Sequence, residues 1–246
     1  MPQNLTRPGQ AGLSGQTSGA IYVANINGTG QLALGNTVPA SALGWSSDGT
    51  AIYFWAATSR ELPHAFYSIP AAGGTATPLS GGQSFWAWFY DGGFEVLAEA
   101  GVDYLLFGAN EFGQPGGKCN LLKLKASPAA EAPSVVFSGL GDIYTPSRGR
   151  LDGRLIFQAD HDRRGSHRVY RLEDSGQATS LTELYSGSPC WNADQSRFVF
   201  IQQPVSTFGA TAYQGKMWVR SNDGSLVVQN SFGTAACPSF YTPAGE

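Results

Sequence analysis

A hairpin that recurs on a steady beat constrains this chain more than any other feature. Trp45-Ser46-Ser47-Asp48-Gly49-Thr50 runs into Ala51-Ile52-Tyr53-Phe54, a tight turn followed by an apolar run. Asp-Gly suits a hairpin because glycine enters positive φ freely and an aspartate side chain accepts bonds from the backbone two residues on. The pattern returns at Trp88 and Asp91-Gly92 before residues 94–98, at Asp152-Gly153 before Leu155-Ile156-Phe157, and at Trp191 and Asp194-Gln195 before Phe198-Val199-Phe200. The four aspartates step by 43, 61 and 42 residues, which reads as a period of 42–43 with an insertion in the second copy.

A second motif keeps the same time. Ile21-Tyr22-Val23, Phe66-Tyr67-Ser68-Ile69, Leu121-Leu122-Lys123-Leu124, Val169-Tyr170-Arg171-Leu172 and Met217-Trp218-Val219 are short apolar runs. Glycine turns follow most of them, at Asn27-Gly28, Gly73-Gly74, Ser175-Gly176 and Asp223-Gly224, and another short run follows each turn. Every repeat therefore holds about four short strands joined by hairpins. One four-stranded sheet leaves an apolar face uncovered, whereas sheets stacked around an axis cover one another and expose only short edges.

The expected fold is thus an all-β, single-domain β-propeller of five four-stranded blades. The repeats lie near 42–80, 84–138, 142–183 and 187–230. A fifth blade is shared by residues 20–36 and 235–246, which closes the ring, and residues 1–18 form an irregular arm. Residues 4–15 are the candidate for the second strand of that shared blade, but Pro8 and three glycines make a poor strand, and the alternative is a segment of a larger propeller or closure by another chain. The recurrent tryptophan is expected to fill the space between sheets, so that Trp45→Ala or Trp191→Ala costs about 3–5 kcal/mol.

Composition agrees. Charged residues are 13% against about 25% in an average domain, and 32 of 246 residues are glycine. Few charges and many turn residues favour sheets over long helices or disorder. A net charge of −3 offers no basic stripe for phosphate backbones, so nucleic acid is not an expected partner. No apolar run approaches the ~18–20 residues of a spanning helix, and the first twenty residues show no signal-peptide core. No membrane insertion is expected, and the compartment stays open. Three cysteines, Cys119, Cys190 and Cys237, without a CxxC or Cys/His cluster, form neither a disulfide framework nor a zinc motif.

The run from Trp45 to Phe54, then Tyr67-Ser-Ile-Pro-Ala-Ala-Gly-Gly74 and Thr77-Pro-Leu79, resembles the TolB-like propeller repeat, a WD40-like (PD40) repeat. Gln158-Ala-Asp160-His-Asp162-Arg-Arg-Gly165 through Val169-Tyr170-Arg-Leu172 and Leu181-Thr182 resembles it too. The resemblance covers most of residues 20–246, and departs where the usual proline of the Trp-Ser-Pro-Asp-Gly stretch is Ser47, Tyr90 and Ala193. It implies a propeller and little about chemistry, since propellers host many functions.

Candidate sites are few. Asp160-His161-Asp162-Arg163-Arg164-Gly165 is half of a calcium-loop pattern, but Arg164 and Arg171 stand where ligands belong, so a polar hairpin is expected instead. His64, His161 and His167 lack metal-ligand spacing and read as exposed loop histidines. No P-loop, G-x-S-x-G or HExxH is present, and no cofactor or metal is expected. The repeated aspartates read as turn residues, while the off-repeat acids Asp103, Glu111 and Asp142 could reach a channel mouth. The connections between second and third strands, with those between repeats, gather Arg60, His64, Trp86, Phe112, His161, Arg163, Tyr185, Phe208 and Tyr213 on one face. Aromatic rings with arginine are the chemistry of protein hot spots. The expected function is a non-catalytic binding or scaffolding module for a protein partner, with self-association as a further option. The alternatives are a lectin-like carbohydrate binder and a five-bladed glycosidase, which needs opposed carboxylates.

Overall fold

The computed structural model describes residues 21–25, 27–35, 40–56, 64–85, 94–110, 119–139, 142–148, 154–160, 167–182, 186–191, 197–202, 214–221 and 226–233. The strands run β1 (Tyr22–Val23), β2 (Leu32–Ala33), β3 (Ala40–Trp45), β4 (Ala51–Ala56), β5 (His64–Pro70), β6 (Thr77–Pro78), β7 (Ser84–Phe85), β8 (Phe94–Glu99), β9 (Val102–Asn110) and β10 (Cys119–Lys125). They continue as β11 (Ser134–Phe137), β12 (Asp142–Arg148), β13 (Leu155–Asp160), β14 (His167–Leu172), β15 (Ala178–Ser180), β16 (Ser186–Trp191), β17 (Arg197–Gln202), β18 (Gln214–Ser221) and β19 (Leu226–Gly233). Among the described residues there is no α-helix, only a 3-10 turn over Ser80–Gly82.

The strands form a β1–β2 hairpin and four larger sheets. Three are four-stranded, in the orders β8-β9-β10-β11, β12-β13-β14-β15 and β16-β17-β18-β19; the fourth is β3-β4-β5-β6, with β7 also pairing with β5. Every pairing whose register is known is antiparallel. This is the consecutive-hairpin meander that the glycine turns call for. The chain divides into two compact halves, residues 1–117 with 122–136, and residues 118–121 with 137–246.

In the first half, β4 shows why the sheets stack. Its residues Ile52, Phe54 and Ala56 join Ile21, Leu34 and Ile69 in one buried cluster, against the β1–β2 hairpin. The alternate residues Tyr53 and Trp55 join Phe66, Phe85, Leu105, Phe107, Leu122 and Leu124 in another, against β9 and β10. Successive side chains of a strand point to opposite faces, so a run apolar at every position is a strand buried on both sides. Phe66 sits at the centre of an aromatic cluster, with ring centroids 4.5 Å from Trp55, 4.8 Å from Phe107 and 5.3 Å from Phe94, all edge-on. In the second half, Ile156 and Val169 pack on Phe198 and Phe200, while Phe157 stacks on Tyr170 and meets Phe137 at 5.4 Å.

Two expectations are corrected here. Trp45 is only partly buried, at the rim of the cluster under the β1–β2 hairpin. Among the described residues the fully buried aromatics are Phe54, Phe66, Phe107 and Phe157, which lie inside strands and reach the next sheet, whereas Trp45 ends its strand beside the turn. In the second repeat, Asp91-Gly92 does not join the first two strands. That turn is Ala100-Gly101, between β8 and β9, with φ of 50° and 78°. The residues that Asp91-Gly92 introduces are β8, the first strand of the sheet in chain order and at its edge, not the second.

Candidate functional site

The tight turns settle the repeated aspartate where it is described. At Asp48, Oδ1 accepts bonds from the Ser46 and Thr50 hydroxyls at 2.7 and 2.8 Å and from the Thr50 amide at 2.9 Å. These donors, the Ser46 hydroxyl first, hold its carboxyl below the usual range. Gly49 follows with φ of 72°. Asp48 is therefore a turn-maker, as its position beside glycine implied. Residues 161–166, which hold most of the half calcium-loop pattern, lie outside the described residues, between the antiparallel strands β13 and β14.

Asp103, one of the off-repeat acids that could reach a channel mouth, is held between two sheets. It follows the Ala100-Gly101 turn at the start of β9, and its Oδ2 accepts from the Ser47 amide at 3.0 Å and the Tyr53 hydroxyl at 2.8 Å. It thus clasps the sheet β8–β11 to the Trp45–Phe54 hairpin of the neighbouring sheet. Burial, then the Asp103 bond and charge, push the Tyr53 phenol well above its ordinary range, so it stays a neutral donor. Other acids are likewise occupied. Glu99 pairs with Lys123, Glu131 with Lys125 at 3.1 Å, and Glu173 with Arg171 at 2.8 Å and Arg154 at 3.9 Å.

Of the nine proposed binding-face residues, Arg60, Trp86, Phe112, His161, Arg163, Tyr185, Phe208 and Tyr213 lie outside the described residues. The strand limits still locate their connections. Residues 57–63, 111–118, 161–166 and 203–213 each join the second and third strands of a sheet, and Trp86 follows β7 directly. In a four-stranded antiparallel meander that connection leaves from the same end of the sheet as the entry and exit of the chain.

His64 is described, and it is not an exposed loop histidine. It opens β5 opposite Phe85, is 4% exposed, and its ring lies 5.3 Å from that of Trp55. Burial pulls its imidazole down to about 4, which keeps it neutral at pH 7. Sequence reasoning missed this because a histidine flanked by Pro63 and the loop before it has no periodic signature. Its alternation with Phe66 was the available signal. Among the described side chains no three metal-ligating groups come together.

No family model matches the sequence, and no curated protein does. Solved structures do match in shape. TolB from Acinetobacter baumannii superposes with a TM-score of 0.61 at 19% identity, over 89% of this chain and 50% of that one. The tricorn protease gives 0.59 at 13% identity, over 87% of this chain and 21% of its own length. A prolyl endopeptidase gives 0.56 at 11%, over 89% and 31%. The chain therefore spans half or less of these proteins, and what they share with it is fold. That likeness, together with the stacked antiparallel meanders, makes this an all-β chain with the TolB-like β-propeller architecture that its repeats resemble.

Proposed function

We propose that the chain is a non-catalytic binding module, a five-bladed propeller whose fifth blade combines residues 20–36 and 235–246, and that it engages a protein partner. The observation that carries this reading is the double-sided burial of β4, with Ile52 and Phe54 on one side and Tyr53 and Trp55 on the other. A sheet buried on both faces leaves only strand ends and connections for recognition. Residues 57–63, 111–118, 161–166 and 203–213, which hold Arg60, Phe112, His161, Arg163, Phe208 and Tyr213, each connect the second strand of a sheet to its third. The described Asp48, Asp103, Glu99, Glu131 and Glu173 are engaged in a turn, a clasp and ion pairs.

The test is a tagged pull-down from the source organism, with an Arg60→Ala/Trp86→Ala/Tyr213→Ala variant beside wild type. The reading expects a specific protein retained by wild type and lost by the variant, with both melting alike. No specific partner, combined with binding on a glycan array that the same variant abolishes, would replace it with the lectin reading.

A further inference from the structure

The tip of the β1–β2 hairpin holds a dipeptide that occurs once in the chain. Of nine asparagines, Asn27 alone is followed by glycine. Both residues are exposed, and Gly28 turns the chain at φ of 79° with open space around it. The Asn25 amide donates to the Thr29 carbonyl at 2.9 Å, and the Gly28 amide donates to the Asn25 carbonyl at 2.8 Å. The Asn27 side chain folds onto the same turn. Its Oδ1 accepts from the Thr29 amide at 3.1 Å and from the Thr29 hydroxyl at 2.7 Å, while Asn25 Nδ2 donates to that hydroxyl oxygen at 3.1 Å.

This arrangement prepares the Asn27 amide for attack. Two donors on Oδ1 draw electron density from the carbonyl and leave its carbon, Cγ, more electrophilic. Neither bond holds Nδ2, the nitrogen that would leave. The next nucleophile along the chain is the Gly28 nitrogen, whose bonding to Cγ closes a five-membered ring. Such a closure gains from proximity, and a side chain on the attacking residue would crowd it. Glycine has none. The bond from the Gly28 amide to the Asn25 carbonyl must open first, and an exposed hairpin tip opens at small cost compared with the buried strands behind it. Asn120 is the contrast, 6% exposed, inside β10 and followed by Leu121.

We propose that Asn27 is a site of spontaneous deamidation, with water as the only co-reactant. The Gly28 nitrogen loses its proton and bonds to Cγ. The Cγ–Nδ2 bond breaks, and Nδ2 leaves as ammonia with that proton. Water then opens the cyclic imide at one of its two carbonyls, giving aspartate or isoaspartate at position 27. The two products act oppositely. Aspartate keeps both Thr29 donors on a carboxylate, a stronger acceptor than an amide. Isoaspartate makes the main chain one carbon longer inside the two backbone bonds of the tip, and breaks them. Behind that tip Ile21 and Leu34, 2% and 1% exposed, hold the hairpin against Ile52 and Phe54. Either product places a negative charge in a stretch that carries none between Arg7 and Asp48. The proposal rests on the hairpin alone and stands or falls separately from the binding-module reading.

The experiment ages the full chain in mildly alkaline buffer made with heavy-oxygen water and maps its peptides by mass spectrometry. Heavy oxygen should enter at position 27 before any other asparagine, and a protein isoaspartyl methyltransferase should label the same peptide. Gly28→Ala should slow the reaction about tenfold or more, because a β-carbon crowds the attacking nitrogen. Fresh Asn27→Asp should melt no lower than fresh wild type. Aged wild type should melt lower than fresh, while Asn27→Gln aged beside it holds its melting temperature. The proposal is overturned if no asparagine is labelled or another is labelled first, or if Gly28→Ala reacts as fast as wild type. It is equally overturned if fresh Asn27→Asp is destabilised, or if aged wild type and aged Asn27→Gln lose stability alike.

Discussion

The buried histidine makes the sharpest test of the packing. Protonating His64 places a charge in a site 4% exposed, beside the Trp55 ring. Its folded pKa of about 4 lies below the ~6.5 of an unfolded chain. The unfolded state therefore takes up the proton first. The stability that neutral His64 permits is fully present above pH 6.5 and is lost as pH falls toward 4. By linkage, the move from pH 7 to pH 5 costs about 2 kcal/mol through this residue alone. For a chain of this length that is a drop of roughly 4–8 °C in melting temperature. Carboxylates and the other two histidines also respond to acid, so the quantity to measure is a difference. Urea unfolding of wild type and His64→Gln at pH 7 and pH 5 isolates it. Wild type should lose about 2 kcal/mol more than the variant between the two conditions. Equal losses would refute the burial argument, because the pH dependence would then owe nothing to His64.

Other predictions follow from the same packing. Phe66→Ala removes the centre of the aromatic cluster and should cost about 3–5 kcal/mol in urea unfolding, with Trp45→Ala costing clearly less because Trp45 is only partly buried. Gly81 has φ of 63°, and a β-carbon there would sit 2.9 Å from that of Ala130, so Gly81→Ala should cost about 2 kcal/mol or more. Gly49→Ala, with φ of 72° and open space around it, should cost only about 1 kcal/mol. A double-mutant cycle of Asp103→Asn with Tyr53→Phe should show coupling of about 1–3 kcal/mol, and additive effects would mean the clasp contributes nothing.

Much of this architecture is legible in the primary structure. The apolar run from Ala51 to Ala56 and the Asp48-Gly49, Gly73 and Ser175-Gly176 turns mark strands and hairpins, because turn geometry demands positive φ that glycine supplies freely. The second repeat departs from its pattern for the same reason. Its turn passes through Ala100 at φ of 50°, a residue with no turn signature, while a more conspicuous Asp-Gly stood nearby. Phe54 and Phe66 read as strand residues, but nothing in their spacing ranks them above Trp45 as fillers. Burial depends on which sheet lies opposite.

What the chain determined by itself is its succession of strands and turns, since both come from local conformational preference and from alternation along a single strand. What only the tertiary structure decided is lateral. Asp103 meets Ser47 and Tyr53 across 56 and 50 residues, and His64 packs beside Trp55. Neighbours along a strand are written in the order of residues. Neighbours across strands depend on where each turn falls, and a shift of one residue moves every side chain to the other face.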